Sequence, residues 1–290
     1  MKFINVLLTV MIAILWVSIF FINGIVGATS WILVKLILAP IGVVGIIIGL
    51  ILCITSKKEN RINKIIFTGL MVVLAMPILL LFNVVPMEYP VSTENISLSI
   101  TIESPFKEDV LIGWGGNSIK ENAPHVIWPS ERFAYDIVKT PYETNSPLLE
   151  AYGIYDMAVY APVAGTVVAV KDNEDDIIPN SEEFLSMEGN YVYIRIESTG
   201  TYLLMNHLKK DSVGVKSGDY VEVGDYLATI GNSGSTSEPH LHIHHQKQDP
   251  TKTVHPILAE GLPLYFYDEN KQPCIPIKNE VLKTGNKKDQ

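Results

Sequence analysis

The sequence predicts a chain of two unlike parts: an N-terminal three-helix membrane anchor over residues 1–85 and an all-β outer domain over residues 86–290. Three observations predict it. Residues 1–85 hold three long apolar stretches, six basic residues and a single acid, Glu59. The chain's totals of 22 basic and 31 acidic residues then leave 16 and 30 for the remainder, a net of −14. After Pro86 the pattern becomes short alternating segments bounded by Gly, Pro, Asn and Asp, as strands and turns are.

The apolar stretches run from about Phe3 to Ile25, Trp31 to Thr55 and Ile65 to Val85. Each approaches the roughly 20 residues that cross a bilayer. Lys35 lies near one end of the second, where it can snorkel, and Pro77 predicts a kink in the third. A signal peptide is the alternative for the first stretch. Its long apolar core, its sparse charge (Lys2 only) and the two spans that follow favour an anchor. The connection "NGIVGATS" carries no basic residue, whereas "SKKENRINK" carries Lys57, Lys58, Arg61 and Lys64. Positive loops stay in the cytoplasm. This predicts a multi-pass protein of the cell membrane with a cytoplasmic N-terminus and an extracytoplasmic domain. No acid or histidine falls within a span, so the spans read as a tether rather than a transport path.

The outer segments "SLSITI", "VLIGW", "HVIW", "RFAYDIV", "GTVVAV", "YVYIRIE", "YLLMNHL", "DYVEV", "DYLATIG" and "HLHIHHQ" all read as strands. Only "SEEFLSME" offers a helical turn or two. Many short strands predict a sandwich or barrel-like fold. The acidic balance excludes nucleic acid as a partner, since phosphate binding needs a basic surface. Two distant cysteines, Cys53 and Cys274, supply neither a disulfide framework nor a thiolate metal site. "YAPVAGTVVAV" and "VKSGDYVEVGDYLATIG" resemble halves of a biotinyl or lipoyl carrier, but the lysine-bearing hairpin tip such a carrier needs is missing. The acidic "KDNEDDIIPNSEEFLSMEGN" reads either as a groove wall or as a solvated loop.

Four of the seven histidines crowd into "PHLHIHHQ". Side chains alternate along a strand, so His240, His242 and His244 share one face. Leu241, Ile243 and His245 take the other, which the aliphatics mark as core. Two imidazoles two residues apart can reach one ion, or an ion and its water; a histidine-rich polar face is the plainer alternative. A catalytic zinc needs three protein ligands and an open position. Asp136, His207 and His125 are the further candidates.

The ordered set "YAPVAGTVVAV", the lone histidine of "YLLMNHL", the spaced glycine turns and the "GNSG…PHLH" close resembles the lysostaphin/LytM-type zinc endopeptidases. The resemblance covers roughly Trp128 to Gln246, within a domain core of about 125–246. It implies a short-strand β-sandwich or barrel-sandwich hybrid of the duplicated hybrid motif type. It also implies one Zn2+ per outer domain and hydrolysis of peptide bonds in the stems or cross-bridges of bacterial peptidoglycan, with the need for a protein activator left open. Carried over residue by residue, His242 and Asp136 are zinc ligands. His240 is the histidine that takes the water proton, and His207 the one that steadies the oxyanion.

The family's H-x-x-x-D is Arg132-Phe-Ala-Tyr-Asp136 in this chain. A guanidinium has no lone pair to give. "PHVIWPSERFAYDIV" offers a substitute if it forms two strands around the "PSE" turn. His125 and Asp136 then oppose each other, within reach of one ion. A turn shifted by one residue would make His125 an ordinary strand histidine. Two functions stay open. One is an active membrane-anchored metalloendopeptidase. The other is a degenerate, non-catalytic domain that binds cell-wall peptide or regulates a partner hydrolase.

Overall fold

The computed structural model describes residues 1–55, 57 and 61–284. Lys58 of the basic connection lies outside the described residues.

Among the described residues, three helices, Lys2–Ile22, Gly24–Thr55 and Arg61–Leu81, are long and apolar enough to cross a membrane. The second starts earlier than the sequence suggested. "NGIVGATS" is not a loop: the reversal uses only Asn23 and Gly24, both at positive φ (57° and 58°). The following Gly27, Ala28 and Trp31 are buried in helical backbone. Helices two and three pack through a stripe of glycines. A Cβ at Gly42 would stand 2.5 Å from the Ala75 backbone nitrogen, and Gly45 and Gly49 meet Met71 and Thr68. Small residues let helix backbones approach this closely. Pro77 lies in a turn that breaks the third helix, as its missing N–H requires.

The outer domain is all-β apart from short helices. Its main sheet runs β14(Val281–Leu282), β2(Val110–Trp114), β3(Tyr135–Val138), β10(Leu241–Gln246), β7(Thr201–Leu208), β6(Asn190–Ile196), β5(Gly165–Lys171), β8(Tyr220–Val221). β11(Gly261–Leu262) also pairs with β10. The path does not close into a barrel. β4(Ala158–Tyr160) pairs with β9(Tyr226–Thr229), and β12(Leu264–Tyr267) lies between β1(Ile100–Ile102) and β13(Pro273–Cys274). One core joins the three sheets. Ile112, Ile137, Ile194, Leu203, Leu241 and Ile243 meet Val159 and Leu227 of the small sheet and Phe266 of β12.

Two expected elements differ. "HVIW" is not a strand: His125 lies in the short helix Ile119–Val126, which Pro124 and a non-helical Asn122 interrupt. Pro124 has no N–H for a sheet ladder, and Asn122 spends its amide on two backbone carbonyls, which fixes a turn there. "SEEFLSME" makes no helix. Glu174 instead accepts from the backbone N–H groups of Leu185 and Ser186 and folds the acidic segment against itself.

Candidate metal centre

β10 has β3 on one side and β7 on the other, and this places the site. His242 is in direct register with Asp136 on β3 and Asn206 on β7. The period-two alternation holds. Leu241 and Ile243 enter the core, while His240, His242 and His244 line one cleft of about 290 Å³. His245 turns away from it; its ring nitrogens lie 2.6 Å from Thr201 Oγ1 and 3.2 Å from the Pro263 carbonyl. His207 lies at the end of β7, where the backbone is in the left-handed region (φ 63°). A histidine held there costs on the order of 1–3 kcal/mol and directs its ring into the cleft.

His125 arrives from the short helix rather than from a hairpin strand, and it reaches the same point. Ligand atoms of His125, Asp136 and His242 all lie within 4.8 Å of one another. Asp136 Oδ1 is 3.3 Å from His125 Nε2 and 3.0 Å from His242 Nδ1. Two donors about 2.1 Å from one zinc at a tetrahedral angle stand about 3.4 Å apart. The donor set and its spacing therefore fit a zinc ion. His240 Nε2 also approaches Asp136 Oδ1, at 3.4 Å, and the ring of His207 lies 4.8 Å from that of His240.

The hydrogen bonds set every tautomer. Asn122 donates its amide to the Gly116 and Ala134 carbonyls, so its Oδ1 accepts from His125 Nδ1–H (2.7 Å) and leaves the Nε2 lone pair facing Asp136. The Ser233 carbonyl accepts from His207 Nδ1–H (2.8 Å), and the Glu238 carbonyl from His240 Nδ1–H (2.7 Å). A longer chain orders His242. Gln246 Nε2 donates to the Gln248 carbonyl, so Gln246 Oε1 accepts from His244 Nε2–H at 3.2 Å. His244 Nδ1 is then an acceptor, and His242 Nε2–H donates to it at 3.0 Å. The His242 Nδ1 lone pair is left towards Asp136. Imidazoles that bind metals are commonly fixed in this way through the far nitrogen.

Charge follows the same geometry. Burial opposes the charged form of His125 and His240, but the Asp136 carboxylate outweighs it and holds both above the usual histidine range. Burial alone would raise Asp136, yet His125 and His240 hold it well below the carboxylate range. His207 and His244 lie well below the histidine range because burial, reinforced by neighbouring imidazoles, disfavours their cations.

Arg132 points elsewhere. It donates from Nε to the Tyr89 carbonyl (3.1 Å) and from Nη2 to the Asn117 carbonyl (2.9 Å). Burial pushes its guanidinium down to about 10, still charged at neutral pH. Sequence reasoning missed the parts that aim the His125 and His242 rings, Asn122 and the His244–Gln246 chain. An asparagine three residues before a histidine carries no distinctive signal. The His-x-His-x-Gln alternation on one strand face was the available clue. Met187 and Glu188 of the acidic segment also border the cleft, which makes part of that segment a wall.

A model of peptidase family M23 matches residues 152–256. That interval contains His207, His240 and His242 and leaves out His125, Arg132 and Asp136. No curated protein sequence matches the chain. Among solved structures, lysostaphin from Staphylococcus simulans aligns at 18% identity over 52% of this chain and 47% of its own, with a TM-score of 0.32. A zinc containing peptidase from Vibrio cholerae aligns at 19% over 62% and 40%, with a TM-score of 0.34. LytU aligns at 26% over 41% and 74%, with a TM-score of 0.25. The chain spans less than half the length of the first two. Residues 152–256 thus resemble peptidase family M23.

Proposed function

We propose that the outer domain is a zinc metalloendopeptidase that cuts a peptide bond in peptidoglycan stems or cross-bridges, held at the outer face of the cell membrane by three helices. One observation carries the catalytic part. Ligand atoms of His125, Asp136 and His242 converge within 4.8 Å of one another, with Asp136 Oδ1 3.3 Å from His125 Nε2 and 3.0 Å from His242 Nδ1, at the wall of a cleft that also holds His207 and His240. These three residues would hold the ion. Zinc in such a site brings the pKa of a water towards 7 and polarises a carbonyl.

This chain's own residues do the rest. His240, with Nδ1–H committed to Glu238, takes the water proton on Nε2 and passes it to the leaving amine. His207, its Nδ1–H held by the Ser233 carbonyl, turns Nε2 towards the peptide carbonyl and steadies the developing oxyanion once a proton is taken up there. The cleft walls, including Glu188, Tyr193 and Thr236, hold the peptide on either side of these groups. The basic residues of the connection at 57–64 support its cytoplasmic placement and the outward placement of the β domain. Arg132 motivates the rival reading of a non-catalytic binder. The arrival of His125 at the place of the missing ligand supports the enzyme instead.

The test is zinc content and muropeptide turnover of the detergent-solubilised chain. One zinc per chain is expected. His125→Ala and His242→Ala lose it, whereas His240→Ala and His207→Ala keep it and lose turnover. A chain that takes up no zinc and leaves muropeptides uncut overturns the proposal.

A further inference from the structure

We infer that the second apolar helix positions His125: Trp31 and Lys35 hold the end of the short helix that carries it, so that metal affinity at the site depends on the anchor. This rests on the reading of His125 as a ligand.

His125 stands on the least self-sufficient element of the site. Helix Ile119–Val126 has eight residues, with Pro124 and a non-helical Asn122 inside. A helix this short does not persist alone in water, so contacts from elsewhere must fix it. Its last carbonyls would otherwise be left without partners. The Val126 carbonyl accepts from the Tyr89 N–H at 2.7 Å. The Ile127 carbonyl accepts from Trp31 Nε1–H at 3.0 Å and from Lys35 Nζ at 3.5 Å. Lys35 Nζ also lies 4.0 Å from the centre of the Trp128 ring. A cation at a helix C-terminus is favourably placed.

The contact is closely fitted. Trp31 and Lys35 are 1% and 2% exposed. Burying an ammonium costs several kcal/mol unless it is well paired, and a helix that merely tethers gains nothing from it. Trp31 meets Tyr89 edge to face, with ring centres 5.7 Å apart. Gly27 makes room for that tyrosine: a Cβ there would stand 2.8 Å from the Tyr89 hydroxyl. Arg132 closes the arrangement by donating to the Tyr89 carbonyl. The Tyr89 peptide is therefore held on its N–H by the carbonyl of Val126, next to His125, and on its oxygen by Arg132. The arginine that stands where the family has a ligand histidine serves here as part of the mount for the substitute.

The experiment uses the full chain in detergent micelles. Zinc affinity is measured by competition with a chromophoric chelator, and site geometry by the visible absorption of the Co2+-loaded protein. Trp31→Phe keeps the ring and removes the N–H; Lys35→Met keeps the stem and removes the ammonium. Supports of a metal ligand are worth about 10- to 100-fold in affinity. Both variants are expected to weaken zinc binding about tenfold or more and to alter the cobalt spectrum. Lys35→Arg is expected to restore both readouts, which a general loss of packing would not allow. Wild-type affinity and spectrum in both Trp31→Phe and Lys35→Met, with binding abolished in His125→Ala, overturn this inference alone. Unchanged zinc binding in His125→Ala overturns the reading beneath it as well.

Discussion

Asn122 offers the sharpest test of how the site is aimed. It is fully buried and makes three hydrogen bonds: to His125 Nδ1 at 2.7 Å, to the Ala134 carbonyl at 2.9 Å and to the Gly116 carbonyl at 3.1 Å. Asn122→Ala removes all three. Each is worth about 1 kcal/mol net, so the metal-free chain should lose roughly 3 kcal/mol of stability. The effect on zinc is separate. Without Oδ1, His125 has no reason to keep its proton on Nδ1. The tautomer with Nε2–H then points a proton, not a lone pair, at Asp136. Loss of such an orienting partner costs about 10- to 100-fold in affinity, or roughly 1.4–2.7 kcal/mol. Chelator competition gives the affinity, and thermal unfolding of the metal-free chain gives the stability. A variant that unfolds earlier but binds zinc as tightly as the wild type would refute the tautomer argument and leave Asn122 a purely structural residue.

Two further outcomes follow from buried titratable side chains. Arg132→His restores the family's letter but not a ligand, because the native side chain runs to Tyr89 and Asn117 and not into the cleft. Zinc stoichiometry should stay at one, and thermal unfolding should show a loss of about 2–4 kcal/mol for two charge-assisted hydrogen bonds. His245 should make the metal-free fold acid-labile. Burial pushes its imidazole from 6.5 down to about 4, so the folded state binds fewer protons between those values. Stability is complete above pH 6.5 and lost as pH falls towards 4, about 2 kcal/mol by pH 5. The difference between wild type and His245→Gln in thermal scans at pH 7 and pH 5 isolates this effect. An unchanged difference at the two values would contradict it.

Most of the fold was legible because its signals are local. Apolar runs, strand alternation and glycine turns report on their own residues. "VLIGW" and "HLHIHHQ" became strands almost to the residue. The first connection was misread because "NGIVGATS" holds small and apolar residues that serve a turn or a helix equally. Its state is decided by burial of Trp31 and Ala28 against distant residues, which no local pattern encodes. "HVIW" failed for a related reason. Val, Ile and Trp favour strands, yet Pro124 and the bonds of Asn122 to Gly116 and Ala134 override them.

The site shows why a correct neighbour can emerge from an incorrect element. A hairpin would set His125 beside Asp136 through a cross-strand pair; the helix sets it there through a different path, at 3.3 Å. What the two share is chain length. Only ten residues separate the two side chains, and a compact reversal of either kind returns the chain to β3. The tautomers of His207 and His240 were not legible at all, because they depend on the carbonyls of Ser233 and Glu238. Each of those acceptors is a backbone oxygen, present at every residue and therefore silent in a sequence. Residue types thus announce which side chains can hold a metal, while backbone placement decides which of their nitrogens is free to do so.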